Sequence, residues 1–155
     1  MNILISACLL GCRCRYDGAS KSHPAALELG KYARLVPVCP EQLGGLPAPR
    51  PPAERQGERV ATEKGSDVTA QYRRGAEEAL RLAELFHCGA AVLKERSPSC
   101  GSREIYDGTF TRTLVPGDGL TAQMLRAAGL TVYGESEIEP LIEKLKKRGE
   151  PHENF

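Results

Sequence analysis

The sequence predicts an α/β fold: a single-domain, three-layer open sheet of mostly parallel strands, Rossmann-like in layout. Two observations carry this. Short apolar runs alternate along the chain with segments of helical period, in the order strand then helix, four times over. Cys8, Cys39 and Cys100 each follow one of the apolar runs. In an open parallel sheet ligands bind outside the carboxyl ends of the strands, so this fold delivers all three cysteines to one edge.

The elements can be justified in turn. Residues 2–7 form a short apolar run with β-branched residues, the pattern of a buried first strand. Arg15-Tyr16-Asp17-Gly18 reads as a turn. Pro24 suits the first turn of a short helix that Gly30 closes, and 35–38 reads as the second strand. From Gln42 to Thr69 six Gly and Pro residues crowd the first part, and no regular structure is expected there. Thr69 is expected to cap a helix over 70–87, with Tyr72, Ala76, Ala79, Leu80, Ala83 and Phe86 on one face. Residues 90–93 read as the third strand. Tyr106-Asp107-Gly108-Thr109 reads as another turn. Thr121 should cap a helix stopped by Gly129, and 130–133 a further strand. Ser136 and Glu139 suggest a capping box for a last helix built on Ile138, Leu141, Ile142 and Leu145 and ended by Gly149. The domain is expected over 1–149, with 150–155 a flexible tail.

At 155 residues the chain can bury a core without disulfides. Its formal charge of +1 gives no sign of general binding to nucleic acid or membrane. No transmembrane run or export signal is read, so a reducing cytoplasm is expected. There, six cysteines read as ligands, catalytic groups or core residues rather than disulfides.

Three cysteines at one edge suit a soft metal centre, either zinc or an iron–sulfur cluster. Zinc ribbons bring ligands in close pairs, which Cys39 and Cys100 do not form. The plainer alternative is that all six are small core residues. Cys12 and Cys14 read as exposed loop thiols, with spare ligands near Cys8 as the alternative, and Cys88 as a packing residue. Glu41 stands two residues after Cys39 with Pro40 between, which limits how the pair can be placed, and a carboxylate there can act as a general base. The hydroxyls of Ser97 and Ser99 can meet a substrate or cap their loop. Asp17 and Arg50 are candidate substrate contacts from loops, whereas Asp67 and Thr69 read as a helix start. His23, His87 and His152 show no partner spacing.

Taken together, Ser6-Ala7-Cys8-Leu9-Leu10-Gly11, Cys14-Arg15-Tyr16-Asp17-Gly18, Cys39-Pro40-Glu41, Gly44-Gly45-Leu46, Pro49-Arg50-Pro51-Pro52, Gly65-Ser66-Asp67-Val68-Thr69, Leu93 to Gly101 and Ile105-Tyr106-Asp107-Gly108 resemble the thiouracil desulfurase family, in order over about residues 2–133. The resemblance implies a [4Fe-4S] cluster held by Cys8, Cys39 and Cys100, with one iron open to the sulfur of a thiolated pyrimidine. It also implies a catalytic Glu and Ser, which fall on Glu41 and Ser97. The implied reaction is a non-redox hydrolysis of 2- or 4-thiouracil to uracil and hydrosulfide by a monomer or weak homodimer. A thiolated tRNA nucleoside stays open as a substrate. The alternative is a non-catalytic cytosolic iron–sulfur or zinc-binding protein. A dithiol redox enzyme is disfavoured, since the chain lacks Cys-x-x-Cys.

Overall fold

The structure, a computed structural model, describes residues 1–148. In chain order the elements are β1 (Asn2–Ser6), α1 (Pro24–Leu29), β2 (Arg34–Val38), α2 (Pro40–Leu43), β3 (Ala53–Gln56), β4 (Arg59–Thr62), α3 (Thr69–Leu85), β5 (Ala90–Leu93), β6 (Glu104–Tyr106), β7 (Leu114–Pro116), α4 (Leu120–Ala127), β8 (Thr131–Gly134) and α5 (Ile138–Lys146). The expected end of the last helix at Gly149 and the tail over 150–155 lie outside the described residues.

The predicted sheet is present. Four parallel strands run in the order β2-β1-β5-β8. Their side chains alternate between two buried faces, which is why the sequence shows continuous apolar runs rather than alternation. Ile3, Ile5, Ala90 and Val92 pack with Leu29 of α1 and with Ile138 and Leu141 of α5. Leu4, Ala91, Leu93 and Val132 pack with Ala79 and Ala83 of α3 and with Ala122 and Leu125 of α4. The result is three layers, helix–sheet–helix. The register pairs Ser6 with Val38 and Ile5 with Val92, so β1, β2 and β5 run out at one level.

Several local expectations are corrected. The 42–69 stretch takes in the end of the one-turn helix α2 and holds the antiparallel hairpin β3–β4, closed by Gly57-Glu58 with Gly57 at φ 65°. A second antiparallel ribbon, β6–β7, carries the Tyr106-Asp107-Gly108 turn. Neither ribbon joins the main sheet, and their polar strands (Ala-Glu-Arg-Gln, Glu-Ile-Tyr) lack the apolar runs that mark core strands. Thr69 does not cap α3. Val68 is the N-cap residue, and the Thr69 hydroxyl instead accepts the Val60 N–H at 2.9 Å. The helix ends at Leu85, before Phe86. Gly119, not Thr121, is the N-cap of α4. The expected box of Ser136 and Glu139 gives way to the Glu137 carboxylate, which accepts the Gly134 N–H at 3.0 Å. Ser136 turns instead to Glu95, donating its hydroxyl at 2.9 Å. Among the described residues no helix is long and apolar enough to cross a membrane.

Candidate active site

Three strand ends supply the three cysteines. Past β1 the chain winds into a 3-10 turn over Ala7–Leu10 that holds Cys8, and Gly11 at φ 103° reverses it. Past β2, Cys39 sits in extended backbone as the N-cap residue of α2, and Pro40 starts that helix with its φ already set. Glu41 therefore falls in the first turn of α2, one residue further on. Past β5, the loop folds on Ser97, whose hydroxyl oxygen accepts the N–H groups of both Ser99 and Cys100 at 3.0 Å. Cys8, Cys39, Cys100, Glu41, Ser97 and Arg50 all line one cavity of about 660 Å³. The topology does bring the predicted cysteines to a common edge.

A close helix crossing seats Cys39 and Glu41. A Cβ on Gly75 of α3 would overlap the carbonyl oxygen of Pro40, and one on Gly44 would overlap that of Gln71. Helix α2 can therefore lie against α3 only with glycine at both positions.

Glu41 is held by charge. The Arg50 guanidinium donates to its carboxylate at 2.7 Å, in a pair whose side chains are 4% and 12% exposed. Arg50 also donates to the backbone oxygens of Cys14, at 3.0 Å, and Pro47, at 3.1 Å. Burial works against the arginine charge, but the Glu41 carboxylate outweighs it and raises the Arg50 pKa. Arg50 is thus a clamp between two loops, and its Nε is buried without a hydrogen-bond partner.

Cys100, Cys39 and Cys14 all have raised thiol pKa values. Burial pushes Cys100 up to about 12, and the Glu41 charge adds to it. Cys39 is raised by its hydrogen bond with the Cys14 thiol, then by burial and by Glu41. At Cys14 the contact with Cys39 lowers the pKa, but the hydrogen bond with Cys8 and burial carry it up to about 11. A metal would reverse this balance, since thiolate ligation displaces the protons.

Other predicted residues divide. The Ser99 hydroxyl is fully buried and shares a 2.8 Å hydrogen bond with Thr121, outside the cavity wall. Asp17 also stands outside that wall and holds its own turn, accepting the Ala19 N–H at 3.0 Å. Its neighbour Tyr16 does line the cavity, and the Tyr16 carbonyl accepts the Arg50 N–H at 2.7 Å. Sequence reasoning missed two residues here. Cys14, read as an exposed loop thiol, is buried against Cys8 and Cys39, whereas Cys12 is exposed as expected. Tyr72, read as core, lines the cavity with a phenol raised by burial and then by Glu41. A phenol on an otherwise alanine-rich face was the available signal.

The donor set fits an iron–sulfur cluster. Four thiols line one cavity, Cys8, Cys39 and Cys100 from three separate strand ends and Cys14 beside Cys8, and each iron of a cluster takes its own thiolate.

The chain is similar to known proteins in sequence and in fold. The sequence pattern of the 2-thiouracil desulfurase family matches residues 3–137. The uncharacterized protein YbbK of Bacillus subtilis (strain 168) is 39% identical over 150 residues, covering 90% of this chain and 99% of YbbK. Among solved structures, the [4Fe-4S]-dependent thiouracil desulfidase TudS (DUF523Vcz) superposes with a TM-score of 0.87 at 49% identity. That likeness covers 94% of this chain and 98% of TudS.

Proposed function

Because the chain belongs to the 2-thiouracil desulfurase family, we propose that it removes sulfur from a thiolated pyrimidine by hydrolysis, using a [4Fe-4S] cluster held by Cys8, Cys39 and Cys100. The observation that carries this reading is the single cavity that those three cysteines share with Glu41 and Ser97. When bound, the cluster supplies a soft, Lewis-acidic iron suited to thiocarbonyl sulfur. The protein's own groups supply the rest.

Glu41 takes a proton from the attacking water. Its carboxylate is held at one oxygen by Arg50, which leaves the other free to accept. Arg50 holds that carboxylate in place against the cysteine-bearing loops. Ser97 is the hydrogen-bond donor. Its oxygen already accepts two N–H groups, so its hydroxyl proton is the part left to donate into the cavity. That donor stabilises charge that develops on the substrate ring as the C–S bond breaks. The net change is thiouracil plus water to uracil plus hydrosulfide, with no net electron transfer. The substrate is a small-molecule thiolated base such as 2- or 4-thiouracil.

The test is the anaerobically reconstituted protein with each thiouracil, following loss of thiocarbonyl absorbance and release of sulfide. Uracil formed in equal amount to sulfide supports hydrolysis. Loss of thiouracil without sulfide contradicts it.

A further inference from the structure

The loop between β6 and β7 brings to the cavity an aromatic ring that plays no part in the chemistry of Glu41 and Ser97. Thr109, Thr111 and Thr113 are exposed, and their hydroxyls share hydrogen bonds of 2.6 Å (Thr109 with Thr111) and 2.8 Å (Thr111 with Thr113). Phe110 and Arg112, which alternate with them, line the cavity instead. Both hold φ at 59°, in the left-handed region that residues with a side chain seldom adopt. Such a conformation persists only where its surroundings impose it. Here the hairpin β3–β4 does so. One oxygen of the Glu54 carboxylate accepts the N–H groups of Gly108, at 3.0 Å, and Phe110, at 3.1 Å. Glu54 is only 9% exposed, and it lines the cavity. The Gln56 amide donates to the Gly108 carbonyl at 2.8 Å. A Cβ on Gly108 would crowd the Arg55 carbonyl oxygen and the Gln56 side chain, so the turn sits directly on β3.

The ring held in this way is half-buried, yet it packs with neither apolar cluster of the sheet. A cavity of about 660 Å³ is of a size for ligands larger than one pyrimidine, so a single ring needs an apolar wall to lie against. Tyr72 is 3% exposed, which leaves little of its ring to offer. The Tyr16 ring already lies 5.7 Å from the Arg15 guanidinium. Phe110 has no polar group to satisfy and no core to stabilise.

We propose that Phe110 is the wall on which the substrate's pyrimidine ring stacks, and that Glu54 is the positioning residue that holds Phe110 there. The proposal rests on the desulfurase reading of the cavity. Stacking on an aromatic side chain uses the π face that every pyrimidine has. Phe110 therefore sets how firmly the ring is held and not which thiocarbonyl is cleaved. The ring is stacked before and during the reaction alike, so loss of the contact weakens binding more than it slows turnover.

The experiment uses the reconstituted full chain and two readouts: KM and kcat for 4-thiouracil, and the dissociation constant of uracil, which has the same ring without the sulfur. In Phe110→Ala both KM and the uracil constant are expected to rise about 10–100-fold, with a much smaller change in kcat. Phe110→Trp, which keeps an aromatic face, should bring both back toward wild type. Glu54→Ala should raise both constants too, and combined with Phe110→Ala it should add less than its separate effect, because the two act through one ring. If Glu54→Ala fails to fold, Glu54→Asp, which draws the carboxylate back from the two N–H groups, carries this arm with a smaller rise. Unmoved constants in Phe110→Ala overturn the stacking role. Glu54 and Phe110 effects that multiply in full, or unmoved constants in Glu54→Asp, overturn the positioning role. Loaded wild type that releases no sulfide overturns the desulfurase reading, whereas active wild type with unmoved Phe110→Ala constants overturns only this inference.

Discussion

The Arg50 guanidinium grips the Glu41 carboxylate at 2.7 Å and, with its other arm, the Cys14 carbonyl at 3.0 Å. The same side chain therefore orients the proposed base and ties down the loop that leads from Cys8. Because both members of the ion pair are buried, removing one leaves the other charge without a partner. Arg50→Ala is expected to cost about 3–5 kcal/mol of stability, readable in denaturant melts, and to abolish turnover. Arg50→Lys keeps the charge but not the fork, and should restore stability only in part. Equal melts for Arg50→Ala and wild type would remove Arg50 from this role.

Glu41→Gln separates the base from the clamp. The amide oxygen can still accept from Arg50, so fold and cluster content should persist. Turnover should fall roughly 10²–10⁴-fold, the usual contribution of a positioned general base. The check is sulfide release per loaded cluster; wild-type turnover would contradict the assignment.

Ser97 has two duties, one as acceptor in its turn and one as donor, and two substitutions bear on them. Ser97→Thr keeps both the accepting oxygen and the donated proton, and activity should survive. Ser97→Ala loses both: the Ser99 and Cys100 N–H groups lose their acceptor, at about 1–3 kcal/mol, and turnover drops about 10²–10³-fold. Steady-state kinetics on the two variants, with iron content measured, distinguish a donor from a turn-former.

The glycine contact between α2 and α3 predicts an effect far from any reacting atom. Gly75→Ala puts a methyl group into the Pro40 carbonyl, so α2 must shift and carry Cys39 and Glu41 with it. Cluster content should fall although no ligand has changed. A Gly75→Ala protein with full iron and full activity would show that α2 tolerates displacement.

Cluster-free protein should lose stability in alkali. Folding holds the Cys100 thiol protonated up to about 12, against 9.0 for the free group. Between these values the unfolded chain has released the proton that the folded chain keeps, so stability falls as pH rises through that window. The buried Tyr72 phenol acts in the same direction. Melting temperature against pH should therefore slope downward above about pH 9, less steeply in Cys100→Ala. An identical slope in that variant would reject the burial argument.

How much of this was legible in the sequence follows from what each feature depends on. The parallel sheet was readable because strands covered on both faces carry continuous apolar runs, as residues 3–5 and 90–93 do. The convergence of Cys8, Cys39 and Cys100 followed from that topology alone. The hairpin at 53–62 was not readable, because its polar strands bury few apolar side chains. Cys14 and Tyr72 were misplaced for a related reason. Their neighbours in sequence suggest a loop and a core face, and only the tertiary arrangement puts both on the cavity wall. Ser99 and Asp17 show the converse error: a polar residue near a motif was read as a substrate contact, whereas each satisfies its own turn or a buried neighbour.

The central claim is that three cysteines on three strand ends hold a cluster on which this protein desulfurates a thiouracil. The most direct measurement is anaerobic turnover of 2- and 4-thiouracil by reconstituted wild type beside Cys39→Ala, with iron, sulfide and uracil quantified together. The account predicts four irons per wild-type chain and matched uracil and sulfide, with cluster and turnover both lost in the variant. Loaded wild-type protein that releases no sulfide from either thiouracil, or turnover that survives in cluster-free Cys39→Ala, would contradict it.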